Sequence, residues 1–134
     1  MTLSADKHMR RVLVTGGAGF IGSAVCRLLA KSGVDVLNID KLTYAGNLAS
    51  LRDLDQRPNY RFLQIDICNA AAVSEAFAAF QPEHLIHLAA ESHVDRSIVG
   101  ARDFVDTNIV GTFTLLEVAR SYWSKLPAAR RDAF

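Results

Sequence analysis

The sequence predicts an α/β fold built on an incomplete, doubly wound parallel sheet of about four strands in the order 3-2-1-4. Segments typical of strands alternate with segments typical of helices along most of the chain, which favours a parallel sheet with right-handed crossovers. The second strand segment is a nearly continuous apolar run, as expected where helices cover both faces of a sheet. A glycine-rich turn joins the first strand to the first helix.

The first elements form a strand, turn, helix and strand unit. Residues 11–15 (RVLVT) are a short β-branched run, and residues 20–32 carry apolar side chains at helical spacing. Gly33 suits the position that follows a helix end. Residues 34–40 (VDVLNID) then return to a strand.

The remaining elements continue this alternation. The sequence predicts a third strand at 60–67, an Ala-rich helix at 70–80, a fourth strand at 84–90 and a long amphipathic helix from about Gly100 to Trp123. Residues 41–59 are the one long irregular stretch. A connection of that length in a compact domain is more often functional than idle.

Composition limits the class of protein. The chain has 134 residues, of which 50% are hydrophobic and 22% charged, and its net charge is +1. A chain of this length buries roughly two-thirds of the surface that it exposes when unfolded, so it needs no disulfide or metal for a core. Because the basic residues are scattered, we expect neither nucleic acid nor an anionic membrane as a partner.

Cysteine usage and the N-terminus predict a cytoplasmic location. Cys26 and Cys68 form no disulfide framework, which indicates a reducing compartment. Residues 1–10 (MTLSADKHMR) contain no apolar signal region, and no run of 18 apolar residues predicts a membrane span. We expect residues 1–10 to be a tail and residues 11–134 to form one domain.

Four glycines in the first turn predict a phosphate-binding loop. Gly16, Gly17, Gly19 and Gly22 satisfy both G-x-x-G-x-x-G and G-x-G-x-x-G spacing between a strand and a helix. Such glycines allow a sharp turn, a close approach of a pyrophosphate and tight helix–sheet packing. The pyrophosphate then meets the N-terminus of the following helix. The competing explanation is a glycine turn with no ligand, but the strand and helix context favours a Rossmann-like, dinucleotide-binding fold.

Acidic residues at strand ends predict how the nucleoside is held. Asp40 closes the second strand 18 residues after Gly22, near the offset of the carboxylate that binds ribose hydroxyls. Its charge favours NAD over NADP, although Lys41 could offset the repulsion of a 2′-phosphate; the alternative is an Asp that only starts a turn. Asp66 and Ile67 end the third strand, where an adenine ring would lie, but any strand can end in Asp.

Several longer stretches carry a family resemblance. They are residues 15–23 (TGGAGFIGS), 40–48 (DKLTYAGNL), 87–97 (HLAAESHVDRS) and 107–112 (TNIVGT). Together they resemble the dTDP-glucose 4,6-dehydratases, a family of extended short-chain dehydrogenases. Related sugar-nucleotide epimerases share the glycine-rich turn but are less similar in the second and third stretches. The resemblance extends from residue 11 to about residue 126.

The resemblance implies a cofactor, a substrate and a set of contacts. In that family NAD takes a hydride from sugar C4, water is eliminated across C5 and C6, and the hydride returns to C6. The enzymes are homodimers that act on dTDP-glucose. The matching cofactor contacts are Phe20, Ile21, Asp40, Lys41, Leu42, Thr43, Asp66, Ile67, Leu88, Ala89, Ala90, Glu91, Ser92 and Thr107. Ser92 would also touch the sugar.

For the polar residues that follow the fourth strand, we favour a structural role over a catalytic one. We expect His93, Asp95 and Arg96 to form a hydrogen-bonded loop in which Asp95 caps the next helix and Arg96 pairs locally. His84 and His87 are expected to be packed, hydrogen-bonded residues of the strand. No cluster of residues has the spacing of metal ligands.

The resemblance also shows what this chain does not contain. The family's chemistry uses a Tyr-x-x-x-Lys pair and a Thr-Asp-Glu run, and neither occurs in the 134 residues. We therefore expect an NAD-binding portion that stops before a fifth strand, lacks the substrate domain, is inactive alone and self-associates through its open sheet edge. The alternatives are a stand-alone, non-catalytic dinucleotide-binding or partner-binding module, and a fragment of a related epimerase.

Overall fold

The computed structural model describes residues 10–44 and 46–134, and its sheet has the predicted topology. Within those residues four parallel strands lie in the order β3-β2-β1-β4. The strands are β1 (Arg11–Thr15), β2 (Asp35–Asp40), β3 (Tyr60–Gln64) and β4 (His84–His87). Val14 of β1 pairs with Asn38 of β2 on one side and with Ile86 of β4 on the other. The predicted strand order is therefore confirmed. Of the predicted tail only Arg10 is described, and residues 1–9 lie outside the described part of the chain.

Helices cover both faces of the sheet. They are α1 (Phe20–Lys31), α2 (Ala70–Phe80), α3 (Val94–Val99), α4 (Ala101–Phe104), a π-helical segment (Val105–Gly111), α5 (Thr112–Ser124) and α6 (Ala128–Arg131). The long predicted helix from Gly100 is thus a continuous run in which α4, the π-helical segment and α5 follow one another. Among the described residues, no helix combines the length and the apolar character that a membrane crossing requires.

Alternate residues of β1 supply two separate cores. Leu13 faces α2 and α5, where it shares one apolar cluster with Phe77 and Leu115. Val12 and Val14 point to the opposite face and cluster with residues of α1. Because side chains alternate along a strand, one short β-branched run fills both layers. This double coverage explains why the central strands read as continuous apolar runs.

Two strands end earlier than the sequence predicts. The third was expected to reach residue 67, but the chain turns after Gln64, where Asp66 Oδ1 accepts a hydrogen bond from Cys68 N (2.9 Å). The fourth was expected to reach residue 90, but β4 ends at His87. The N–H of Ala89 bonds to the side chain of Thr15 (3.2 Å) rather than to a strand backbone. Polar side chains therefore end both strands and turn the chain over the edge of the sheet.

The stretch at 41–59 is not irregular throughout. Leu48–Leu54 form a 3-10 helix whose first turn is capped by Asn47, with a hydrogen bond from Ala49 N (2.9 Å). Leu51 and Leu54 are fully buried in the core beneath α1. An ion pair between Lys31 and Asp53 (2.8 Å) joins this helix to α1. The second half of the stretch is thus a packed element, and only its first half remains available for a site.

We predict that Leu51→Ala destabilises the protein by about 2–5 kcal/mol, because it leaves a cavity under α1. Leu48→Ala is the matched control, since Leu48 lies in the same helix and is 43% exposed whereas Leu51 is 1% exposed. Urea unfolding of the three proteins measures the difference. Equal stabilities for the two variants would show that the 3-10 helix is not part of the core.

Candidate functional site

An open cleft lies at the carboxyl ends of the four strands. It is lined by Gly16, Gly19, Ile39, Asp40, Lys41, Thr43, Gly46, Ile65, Ile67, Leu88, Ala89, Ala90, Glu91 and Thr107. The loops after all four strands contribute to it, and the π-helical segment closes one side through Thr107. In open parallel sheets this edge is where ligands bind.

Most of the residues singled out from the sequence line this cleft, but several do not. Phe20 and Ile21 point outward from the first turn of α1 and are 94% and 66% exposed. Gly22, Leu42, Asp66 and Ser92 also lie outside the lining, and Asp66 and Ser92 are exposed beside it. Sequence reasoning missed Ile39, Gly46 and Ile65. Only their position in the sequence could have indicated them, because they lie near or after the predicted ends of the second and third strands.

Gly16, Gly17 and Gly22 are required by the packing of the protein itself. Gly16 has a φ of +72°, and a Cβ there would lie 2.5 Å from Ala89 N. A Cβ on Gly17 would lie 2.2 Å from Asn38 Oδ1, and one on Gly22 would lie 2.1 Å from the carbonyl oxygen of Gly16. Contacts this short are not tolerated. These glycines therefore let the turn approach β2, the loop after β4 and α1 closely.

Gly19 is different because its space opens into the cleft. A Cβ there would meet only the carbonyl oxygen of Gly16, at 3.3 Å. Gly19 is also the N-cap of α1, where no side chain of the described residues accepts a cap hydrogen bond and no acidic residue occupies the first turn. The positive end of the helix is therefore not neutralised by a side chain of its own first turn. This arrangement suits a phosphate.

Asp40 joins the two loops beside this cradle. Its Oδ2 accepts a hydrogen bond from Ala18 N (3.0 Å), and its Oδ1 accepts one from Leu42 N (2.8 Å). The second bond starts the turn that the sequence allowed as an alternative. Each carboxylate oxygen can accept a further hydrogen bond, and Asp40 lines the cleft, so the turn and a ribose contact are compatible.

The π-helical segment fastens two more walls of the cleft. Thr107 is buried, and its Oγ1 accepts a hydrogen bond from Lys41 Nζ (3.0 Å). Asn108 makes two bonds to the backbone of Glu91, accepting from its N (2.8 Å) and donating to its O (3.0 Å). Gly111 allows close packing, since a Cβ there would lie 2.7 Å from the side chain of Ile67. Such segments often mark functional sites.

A buried relay beneath the cleft positions the loop after β4. Thr15 Oγ1 accepts hydrogen bonds from Leu88 N (3.1 Å) and Ala89 N (3.2 Å). Because two N–H groups point at the hydroxyl oxygen, we assign its own proton to His87 Nδ1 at 2.6 Å. His87 Nε2 therefore carries the ring proton and donates it to Thr112 Oγ1 (3.0 Å). Burial lowers the pKa of His87 below its ordinary value of 6.5.

The polar residues after β4 differ in part from their prediction. The N-cap of α3 is His93, which makes no side-chain cap bond, while Asp95 lies within the first turn. The predicted capping role of Asp95 is therefore wrong, because the helix begins one residue before it. Arg96, which was expected to pair locally, instead has its guanidinium over the ring of Tyr44 in the loop after β2, at 3.5 Å from the centroid. Within the described ranges, no group of three His, Cys, Asp or Glu residues could hold a metal ion.

Comparison with known proteins gives a consistent family. A family model described as GDP-mannose 4,6 dehydratase matches residues 13–130. A probable dTDP-glucose 4,6-dehydratase of Sinorhizobium fredii is 64% identical over 92% of this chain and 35% of its own length. The dTDP-glucose 4,6-dehydratase of Neisseria meningitidis is 57% identical over 94% of this chain and 36% of its own. The chain thus spans about a third of the length of these relatives.

Solved structures agree with the sequence relatives. A dTDP-glucose 4,6-dehydratase from Streptomyces venezuelae with NAD bound has a TM-score of 0.78 and 45% identity, covering 84% of this chain and 36% of its own. A UDP-glucose 4-epimerase from Thermus thermophilus in complex with NAD has a TM-score of 0.74 and 35% identity. The match covers 84% of this chain and 34% of the epimerase chain. Both the dehydratase and the epimerase thus share this fold.

We predict that the relay makes the protein less stable as the pH falls. Because the folded-state pKa of His87 lies below 6.5, the unfolded chain binds more protons, so the His87 contribution is fully present above about pH 6.5 and is lost below it. Urea unfolding at about pH 7.5 and 5.5 should show a steeper pH dependence for the wild type than for His87→Gln. His84→Gln, in the same strand, is the control and should retain the wild-type dependence. If His87→Gln retained the wild-type pH dependence of the free energy of unfolding, the attribution of that dependence to His87 would be contradicted.

Proposed function

The chain belongs to the GDP-mannose 4,6-dehydratase family, and on that basis we propose that it supplies the NAD-binding portion of a nucleotide-sugar dehydratase. We further propose dTDP-glucose as the substrate of that enzyme, converted to the 4-keto-6-deoxy sugar. The relatives of 57–64% identity named above support this choice over an epimerase. The observation that carries the proposal is the open cradle at Gly19, beside the carboxylate of Asp40 and at the N-terminus of α1.

The residues of the cradle fit a dinucleotide. The uncapped N-terminus of α1 offers backbone N–H groups and a partial positive charge for a pyrophosphate, and the missing side chain of Gly19 leaves room for it. The free lone pairs of Asp40 accept the two hydroxyls of a ribose. Ile65 and Ile67 present an apolar wall to an adenine at the end of β3. These residues support the proposed placement of the pyrophosphate, a ribose and the adenine of NAD.

Bound NAD supplies a hydride acceptor that returns its hydride, and the residues of this chain bind and orient it. We propose that the backbone of Leu88, Ala89 and Ala90, positioned by Thr15, lies along the nicotinamide half. Thr107 and Lys41 form the far wall. Phe20 and Ile21 contribute backbone N–H groups although their side chains point outward. The remaining proposed contacts are Gly16, Gly22, Leu42, Thr43, Asp66, Glu91 and Ser92, with Ser92 also reaching the sugar.

We also propose a homodimer in the cytoplasm. Ile109, Phe113 and Leu116 lie at helical spacing and are 63%, 65% and 60% exposed. They form an apolar stripe on one side of the long helix, which favours association. Cys26 and Cys68 are free thiols, in keeping with a reducing compartment. The chain contains neither a Tyr-x-x-x-Lys pair nor a Thr-Asp-Glu run, so the share of the reaction that we assign to it is cofactor binding.

We predict that the chain binds NAD at least about tenfold more tightly than NADP, a difference of about 1.4 kcal/mol. The carboxylate of Asp40 repels a 2′-phosphate, and Lys41 is engaged with Thr107 rather than free to offset that charge. Calorimetric titration with both cofactors measures the ratio. Asp40→Asn should reduce the preference for NAD over NADP. Asp35→Asn, at the opposite end of β2, should leave that preference unchanged. Equal affinities in the wild type would refute the role of Asp40.

We predict that Gly19→Val abolishes NAD binding while changing the free energy of unfolding by no more than about 1 kcal/mol. Its side chain enters the space reserved for the pyrophosphate but meets little protein. Gly22→Ala is the contrasting variant and should lose about 1–3 kcal/mol of stability, because its Cβ would collide with the Gly16 carbonyl. Retained NAD binding in folded Gly19→Val would mean that the glycines serve only the turn.

A further inference from the structure

One cluster of side chains joins two loops of the cleft without lining its floor. Tyr44 follows β2, and its hydroxyl donates a hydrogen bond to Glu91 Oε2 (3.0 Å) in the loop after β4. The guanidinium of Arg96, on α3, lies over the Tyr44 ring at 3.5 Å from the centroid. The ring of His93 meets it edge-on at 4.9 Å. We call Tyr44, Glu91, His93 and Arg96 the clasp.

The strand order decides what the clasp passes over. β1 lies between β2 and β4, so the loops that follow β2 and β4 begin about 10 Å apart, two strand spacings. A contact between these loops must cross the carboxyl end of β1, where the glycine-rich turn begins. The clasp therefore spans the cradle that we assign to the pyrophosphate.

The residues beside the clasp confirm that it borders the cleft. Thr43 and Gly46, on either side of Tyr44, line the cleft, as do Ala90 and Glu91 in the opposite loop. On its outer side a second, open depression is lined by Tyr44, Glu91 and Arg96 together with residues of α3 and α4. The clasp is thus a wall between two open spaces, and the Tyr44 side chain has room to swing outward.

The chemistry of the clasp suits a closure that can open. Tyr44 is 45% exposed, and Arg96 and His93 are also exposed. Exposed cation–π and hydrogen-bond contacts are individually weak. The contacts with Glu91, Arg96 and His93 all converge on the Tyr44 side chain. Movement of this one side chain therefore breaks or restores all three contacts together.

We propose that Tyr44 is a cofactor-retaining residue, and that the clasp closes over bound NAD and slows its release. The inference rests on the proposed function, because it requires a dinucleotide in the cleft. A cofactor that receives and returns its hydride within one cycle has no need to leave between cycles. A closure that slows cofactor release therefore keeps such a site loaded between cycles. In an enzyme that exchanges its cofactor at each turnover, the same closure would slow the reaction.

The test measures the rate of release directly on this chain. NADH, the fluorescent reduced cofactor, is bound first and then displaced by excess NAD in a stopped-flow instrument. We expect Tyr44→Ala to speed release by about tenfold, equivalent to about 1.4 kcal/mol, while the association rate changes little. Tyr44→Phe, which loses only the bond to Glu91, and Arg96→Met, which loses only the cation, should each give a smaller acceleration. Arg102→Met, an exposed arginine that pairs with Asp106 outside the clasp, is the control and should release NADH at the wild-type rate.

The outcomes separate the clasp from the function on which it rests. If the wild-type chain binds no NADH, the proposed function fails and the clasp fails with it. If the wild type binds and Tyr44→Ala releases NADH at the wild-type rate, only the clasp is overturned. The clasp is also overturned if Tyr44→Ala loses affinity through slower NADH association. In that case Tyr44 would organise the loop before the cofactor binds rather than retain the bound cofactor. Should Tyr44→Ala fail to fold, Tyr44→Phe and Arg96→Met decide the question by the same rates.

Discussion

The rest of the structure depends on the lack of space at the carboxyl end of β1. This strand is flanked by β2 and β4 and covered by helices on both faces, so the turn that follows it has protein on every side but one. Gly16 must approach the backbone at Ala89, and Gly22 must approach the Gly16 carbonyl. Side chains are excluded from these contacts. The open side of the turn is the cleft, and Gly19 is the glycine whose missing side chain leaves that cleft free.

Side chains that bond to backbone, rather than the sheet itself, hold the walls of the cleft. Asp40 ties the glycine-rich turn to the loop after β2, Thr15 ties β1 to the loop after β4, and Asn108 ties that loop to the π-helical segment. Thr15 is buried and Asp40 half-buried, and a hydrogen bond left unmade in such places is unfavourable. The loops are therefore preorganised although they belong to no strand or helix. A preorganised cleft binds its ligand with less loss of conformational entropy.

Family membership and geometry support the same function from independent directions. The family relation rests on matched sequence along residues 13–130, whereas the fit to NAD rests on an uncapped helix end, an open glycine and a carboxylate with free lone pairs. The apolar stripe lies on the long helix, whereas the clasp borders the cleft itself. They extend the proposal from how the cofactor is bound to how the protein assembles and how the cofactor is retained.

The sequence by itself determined the alternation of strands and helices, the glycine-rich turn and the carboxylate at Asp40, because these follow from local periodicity and from short spacings. The strand order followed from the doubly wound fold class that these features indicate. Only the tertiary structure decided which glycine has open space on the cleft side, since the distance from Gly17 to Asn38 or from Gly16 to Ala89 depends on pairing between distant segments. It also decided where β3 and β4 end, because polar side chains compete there with the strand ladder. The 3-10 helix at Leu48–Leu54 and the tautomer of His87 likewise came from neighbours that are remote in sequence, α1 for the first and Thr15 for the second. Local pattern specifies which element forms, and long-range packing specifies which of its atoms reach the site.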